Sequence, residues 1–209
     1  MIKCNVKVNG TIGRAAVVRA SKDGKQFMTY SVNVVLSPNN GINKTINISV
    51  IKDSNDSSVA AQYVTGHRIE VEGVLYFKKR GSELYLDMSE NQSNLYPEQS
   101  KDSIEGEMHF RGTLGKNIEM KTDKKNRPYL ACSAYSAEKV ADGFEYTWVR
   151  FIRFSDVIED FLIPKGTIEV KGDMDLSVYN DNLNLGCRIK EMSKWVKQPY
   201  QENKEELPF

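Results

Sequence analysis

Cysteine and histidine are scarce in this chain of 209 residues: three cysteines and two histidines. Cys4, Cys132 and Cys187 are odd in number and form no CxxC pair. That argues against a disulfide framework and against a zinc site, and it suits a reducing cytoplasm. His67 and His109 have no Cys, His or carboxylate neighbour at metal-ligand spacing, and no HExxH, GxSxG or Walker sequence occurs. No apolar run approaches the roughly 20 residues needed to span a bilayer. The opening MIKCNVKVNG has no apolar core region, so no secretory signal is expected. These absences leave a non-enzymatic cytoplasmic protein with no cofactor, metal or membrane partner as the expectation. Asp173 and Asp175 form an Asp-x-Asp on one strand face that could in principle hold Mg²⁺, but surface carboxylates are the simpler reading.

What is present is a repeat. Gly10-Thr11-Ile12-Gly13-Arg14 returns as Gly112-Thr113-Leu114-Gly115-Lys116. Arg68-Ile69-Glu70-Val71-Glu72-Gly73 returns, in the same order, as Thr167-Ile168-Glu169-Val170-Lys171-Gly172. A period of about a hundred residues is one small domain, too long for a solenoid repeat. The polar stretch SENQSNLYPEQSKDS divides the copies. The expected organisation is a first domain over 1–88, a linker over 89–103, a second domain over 104–193 and a flexible tail over 194–209. Lys and Arg exceed Asp and Glu in the first domain, whereas the second is slightly acidic. The basic copy is therefore the first, which matters for phosphate binding.

Each copy reads as three strands, a short helix and two strands. In the first, Lys3–Asn9, Phe27–Leu36 and Thr45–Ile51 are β-patterned. Val59, Ala60, Tyr63 and Val64 follow at helical spacing and Gly66 ends the helix. Arg68–Phe77 and Glu83–Met88 complete the set. In the second, Glu105–Gly112, Tyr129–Ser136 and Tyr146–Phe154 lead to a helix capped by Ser155 and bearing Val157, Ile158, Phe161 and Leu162. Pro164 and Gly166 stop it, and Thr167–Leu176 and Leu183–Met192 follow. A five-stranded Greek-key barrel with its helix between strands three and four is the OB-fold plan, which binds oligonucleotides or oligosaccharides on strands 2–3 and adjoining loops. The fold class expected is all-β, with two tandem five-stranded OB barrels, a small helix in each, and a flexible C-terminal tail. Strand counting alone also fits another small barrel.

The third strand of the second copy carries the chemistry. Alternation puts Tyr146, Trp148, Arg150, Ile152 and Phe154 on one face and Thr147, Val149 and Phe151 on the other. Aromatics interrupted by a guanidinium suit a single-strand platform, where bases stack on rings and Arg holds phosphate. The alternative is a buried Trp148 and Phe154 covered by the stem of Arg150. The pattern by itself leaves both open.

TWVRFIRF, then KGTIEVKGDMD, then Val178-Tyr179-Asn180-Asp181 resembles the bacterial single-stranded DNA-binding protein family. In that family a Trp-x-Arg strand leads through a helix to Lys-Gly, a strand and a long hairpin bearing an aromatic. Gly112–Lys116 sits where the family has a Gly-x-Leu-Gly turn. The resemblance covers about 104–192 well and about 3–88 more loosely. It implies that Trp148 and Phe154 stack bases, that Arg150 contacts phosphate and that Tyr179 stacks from the long hairpin, with Tyr135 near a further stacking position. Tyr146 on the same row, and Lys116 and Arg14 in the two repeated glycine motifs, join the candidate set. Arg153 stands where the family has an apolar residue.

The first copy departs from this. Aligned on the resemblance, Ile46, Ile48 and Lys52 stand where the second copy has Trp148, Arg150 and Phe154. It keeps a hairpin with Tyr76, Phe77, Lys78, Lys79, Arg80 and Tyr85, which can hold a strand or simply be a solvated turn. The expectation is a division of labour in which the second copy stacks bases and the first tracks phosphates.

The chain ends Glu205-Glu206-Leu207-Pro208-Phe209. The family's tails end in an acidic run and a final Ile-Pro-Phe or close variant that docks on replication and repair enzymes. The resemblance implies the same partners here, with Phe209 as apolar anchor and Glu205 and Glu206 steering. It also implies a homodimer, since relatives with two OB-folds per chain assemble four. The function expected is binding of single-stranded DNA with little sequence preference, in replication, recombination or repair. The alternative is a tandem OB protein that binds protein, oligosaccharide or RNA.

Overall fold

The computed structural model describes residues 1–37, 43–81, 83–98, 101–140, 143–179 and 182–196. The first half contains β1 (Ile2–Ala20), β2 (Gln26–Leu36), β3 (Lys44–Lys52), α1 (Ser57–Ala60), β4 (Arg68–Arg80) and β5 (Glu83–Asn94). The second contains β6 (Ser103–Thr122), β7 (Pro128–Val140), β8 (Gly143–Arg153), β9 (Thr167–Tyr179) and β10 (Asn182–Lys194). The strands run in the order β2-β3-β5-β4-β1-β6-β7-β8-β10-β9, with β1–β2 and β6–β9 closing one barrel in each half. In each barrel the third strand meets the fifth in parallel and every other pairing is antiparallel. This is the OB topology, and it was the expected fold class.

The Gly-rich repeats are not turns. Gly10–Arg14 and Gly112–Lys116 lie inside single long strands, β1 and β6, where the pairing register slips between Ile12 and Val17 and between Leu114 and Ile118. Extra residues at a bulge bend a strand and raise its twist. Each long strand can therefore pair with β4 or β9 along its first half and with β2 or β7 along its second. The glycines admit the partner backbone: a Cβ on Gly10 would sit 2.5 Å from the carbonyl of Asn33, and one on Gly112 2.2 Å from that of Tyr135.

The barrels join along β1 and β6, which pair antiparallel from Ile2↔Phe110 to Asn9↔Ser103. Cys4, Val6 and Val8 alternate inward, and the buried residues of both halves form one continuous cluster. All three cysteines are buried free thiols in it. The expected linker is partly strand: β5 runs on to Asn94 and β6 begins at Ser103. Residues 197–209, which include the expected tail tip, lie outside the described residues.

The helices differ from expectation. In the first barrel α1 is one turn, capped by Asp56, whose side chain accepts from the N–H groups of Ser58 and Val59. Tyr63 lies past its end and is buried. Its hydroxyl meets Lys52 at 2.7 Å and Ser93 at 2.6 Å, while Lys52 and Tyr30 both donate to buried Glu90 at 2.7 Å. The second barrel has no helix among its described residues. The Ser155 hydroxyl accepts from the N–H of Val157, a local turn that competes with helix. Val157 is 56 % exposed and Ile158 is also exposed, Phe161 packs half-buried against the core, and only Leu162 is fully buried. A single turn fixes several residues for one hydrogen bond, and β-branched Val157 and Ile158 do not offset that cost. Among the described residues no helix is long and apolar enough to cross a membrane.

Candidate nucleic-acid interface

Strand β8 presents the alternation of its sequence. Thr147, Val149 and Phe151 are buried, while Tyr146, Trp148, Arg150 and Ile152 face outward and Phe154 follows just past the strand. Trp148 is 50 % exposed and Phe154 47 %, so the covered-core alternative does not hold. A row from Tyr146 to Phe154 spans roughly 26 Å at the usual strand rise.

Neighbouring strands extend the row sideways. Tyr135 on β7 stands directly opposite Trp148 with ring centroids 5.0 Å apart, and it meets Tyr146 edge-on at 5.3 Å. At the other end Phe154 lies 5.9 Å from Tyr129, and the guanidinium of Arg127 sits 4.8 Å above the Phe154 ring. Arg127 is tethered by Asp123, whose carboxyl is held below the ordinary carboxylate range, chiefly by the backbone N–H of Arg127. Between the two aromatic groups lies Arg150, exposed and without an ion-pair or hydrogen-bond partner among the described residues. Exposed rings in mutual contact keep their π-faces available while losing little side-chain freedom on binding.

Beside Trp148 a cleft of about 590 Å³ is lined by Gly115, Lys116, Asn117, Ser133, Tyr135 and Lys165. The β6 bulge makes it. A Cβ on Gly115 would lie 3.2 Å from Trp148 Cζ3, so the absent side chain is what seats the indole. Lys165, at φ 66, donates its N–H to the Leu114 carbonyl at 3.2 Å and brings a second lysine to the rim opposite Lys116.

The structure thus brings together Trp148, Arg150, Phe154, Tyr135, Tyr146 and Lys116 on one barrel. Arg14 is exposed on the corresponding bulge of the first barrel. Tyr76, Lys78, Lys79 and Arg80 lie on β4, away from that row in sequence but on a strand that packs against β8. Two of these cations are already engaged: Lys78 pairs with Asp87 at 2.7 Å, and Arg80 covers the ring of Tyr85 at 5.4 Å. Tyr179 ends β9, with its side chain outside what is described, as are Glu205, Glu206, Leu207, Pro208 and Phe209.

The equivalence expected for the first barrel is off by one residue. Ile46 and Ile48 are buried together with Val50, matching Thr147, Val149 and Phe151. The outward counterparts of Trp148 and Arg150 are Asn47 and Ser49, which pair with Asn33 and Ser31 just as Trp148 and Arg150 pair with Tyr135 and Ser133. A one-residue slip exchanges the two faces of a strand. Lys52 corresponds to Arg153, since they oppose Met28 and Leu130, and both are drawn into ion pairs, with Glu90 and Glu159. Sequence reading missed Tyr129, Arg127 and Lys165. Tyr129 shares the outward parity of Tyr135 on β7 and was accessible from that alone, whereas Lys165 reaches the cleft only through the tertiary contact with β6.

No protein-family profile matches the chain, and no curated protein sequence does. In structure the chain is similar to the wild-type single-stranded DNA-binding protein of Thermus aquaticus, at 11% identity over 95% of both chains with a TM-score of 0.47. A deletion mutant of that protein gives 11% identity, 95% and 97% coverage and a TM-score of 0.46. The mitochondrial single-stranded DNA-binding protein of S. cerevisiae is 18% identical over 44% of this chain and 96% of its own, with a TM-score of 0.36.

Proposed function

We propose that this protein binds single-stranded DNA on the outward face of its second barrel, with little overall sequence preference. The observation that carries the reading is the unpaired guanidinium of Arg150, set between two groups of half-exposed aromatics on a sheet whose other face is core. Bases stack on Trp148, Tyr135, Tyr146 and Phe154 at about 1–3 kcal/mol each. Arg150, with Lys116 and Lys165 at the cleft, neutralises phosphates. The first barrel contributes cations, chiefly Arg14 and Lys79, and no stacked row: its outward amides Asn33 and Asn47 hydrogen-bond to each other at 2.8 Å.

The reading extends to protection of single strands in replication, recombination or repair, to a homodimer, and to recruitment of partner enzymes through Glu205, Glu206, Leu207, Pro208 and Phe209. An apolar Leu-Pro-Phe beside two carboxylates supports the last. It includes no catalytic step. Among the described residues no group of three His, Cys, Asp or Glu could hold a metal ion.

Titration of oligothymidine against the full chain at several salt concentrations tests the reading. Single-strand binding weakens with salt by about 0.7 in log–log slope per phosphate contacted, so Arg150→Ala should flatten the slope by about that amount. Salt-independent binding, or no binding, would overturn it.

A further inference from the structure

From Arg150 across the sheet toward β10 and β9, the outward face changes character. Ser133 on β7, Arg150 on β8, Gly186 on β10 and Asp175 on β9 stand in one transverse row of paired residues. With strands about 4.8 Å apart, Arg150 and Asp175 are roughly 10 Å apart at their backbones, and the residue between them has no side chain. The result is a trough of about 530 Å³ floored by Gly186, with Arg188 at its end along β10. A Cβ on Gly186 would meet nothing closer than 3.4 Å, so neither backbone strain nor close packing requires a glycine there.

Asp175 is the unusual member. Asp173, two residues earlier on the same face, is held by Lys190 at 2.7 Å. Asp175 and Arg188 have no ion-pair or hydrogen-bond partner among the described residues. A free carboxylate beside a phosphate-binding track costs affinity for the backbone, and it is acceptor-only. It therefore suits a ligand edge that offers two adjacent donors. Among the four bases only guanine has one, N1–H beside the N2 amino group. Cytosine and adenine set an acceptor next to their amino donor, and thymine flanks its single N–H with two carbonyls. Each of these turns an acceptor toward the carboxylate, which is a repulsive contact.

Resting on the reading of this face as a single-strand site, we infer that the trough over Gly186 is a guanine subsite. The Asp175 carboxylate accepts from N1–H and N2–H, and Arg188 donates to O6. Arg150 remains with the phosphate on the β8 side. One position of an otherwise indifferent footprint then reads the base. A bidentate pair of this kind discriminates against the wrong base by about tenfold in base-edge recognition.

The test is competition among thymidine oligonucleotides carrying one guanine, adenine or cytosine at the centre, against the full chain and its Asp175→Asn and Gly186→Val variants. The guanine oligonucleotide should bind the native chain about tenfold tighter than the all-thymidine one. That ratio should fall to about one in Asp175→Asn, which presents a donor in place of one acceptor. It should also fall in Gly186→Val, which fills the trough on a backbone that accepts a side chain. Equal binding of all four by the native chain would overturn the subsite while leaving single-strand binding intact. So would an Asp175→Asn variant that tightens every oligonucleotide by one factor, since that is charge repulsion only. Failure of every oligonucleotide to bind would overturn the underlying reading as well.

Discussion

Trp148 and Tyr135 face each other across β8 and β7 with their rings 5.0 Å apart and inclined at 56°. Their counterparts on the first barrel, Asn47 and Asn33, face each other across β3 and β2 and share an amide–amide hydrogen bond. One scaffold position thus holds an aromatic pair in one barrel and a self-satisfied amide pair in the other. Trp148→Ala should weaken oligothymidine binding by about 1–3 kcal/mol and cost the fold no more than about 1.5 kcal/mol. Asn47→Ala should leave affinity almost unchanged. Fluorescence titration with parallel thermal melts checks both, and equal losses from the two substitutions would contradict the asymmetry.

Two glycines of the repeated motif have separable roles. A Cβ on Gly112 would collide with the Tyr135 carbonyl and the Phe110 ring, at 2.2 Å and 2.5 Å. Gly112→Ala should therefore destabilise the second barrel by about 1–3 kcal/mol. A Cβ on Gly115 is merely tight, at 3.1 Å from the Ser133 carbonyl and 3.2 Å from Trp148. Gly115→Ala should tilt the indole, lower affinity several-fold and shift the unfolding free energy by less than about 1 kcal/mol. Chemical denaturation and binding measured side by side distinguish the two.

The buried thiols predict a response to alkali. Burial raises Cys4 and Cys187 from an ordinary thiol value of 9.0 to about 12, and Cys132 to about 11. Above pH 9 the unfolded chain gives up protons that the folded chain retains, so stability falls as pH rises through that window and is unaffected by the thiols below it. Denaturant midpoints should decline from pH 9 upward. At pH 8 the native protein should resist thiol alkylation and react at all three cysteines once unfolded. Rapid native alkylation of any of them would contradict their placement in the core.

The β8 face was legible in the sequence because strand alternation is rigid: with Val149 and Phe151 inside, Trp148 and Arg150 had to point out. The same rule, applied to Thr45–Ile51, puts Ile46, Ile48 and Val50 on one face. Matching Ile46 to Trp148 set a resemblance above that periodicity, and burial restores the odd positions Asn47 and Ser49 as the outward ones. The absence of a helix between β8 and β9 was not legible. The apolar spacing there is helical, but Ser155 bonds locally, Val157 and Ile158 stay exposed, and only Phe161 and Leu162 reach the core. The glycine motifs signalled a backbone constraint correctly and its geometry incorrectly, because a bulge within a strand and a turn between strands call for the same residue. Arg188 and Asp175 come beside Arg150 only through strand order, and Lys165 reaches the cleft only through its contact with β6; no local pattern encodes either.

On the proposed function, single-stranded DNA lies on the second barrel's outward face. Ultraviolet crosslinking of oligothymidine to the full chain, followed by peptide mass spectrometry, locates it. Adducts are predicted at Trp148, Tyr135, Tyr146 or Phe154, within β7 and the segment from Gly143 to Phe154, and they should diminish in Trp148→Ala. Adducts confined to Tyr76 and Tyr85 of the first barrel, with the second barrel unmodified, would contradict it.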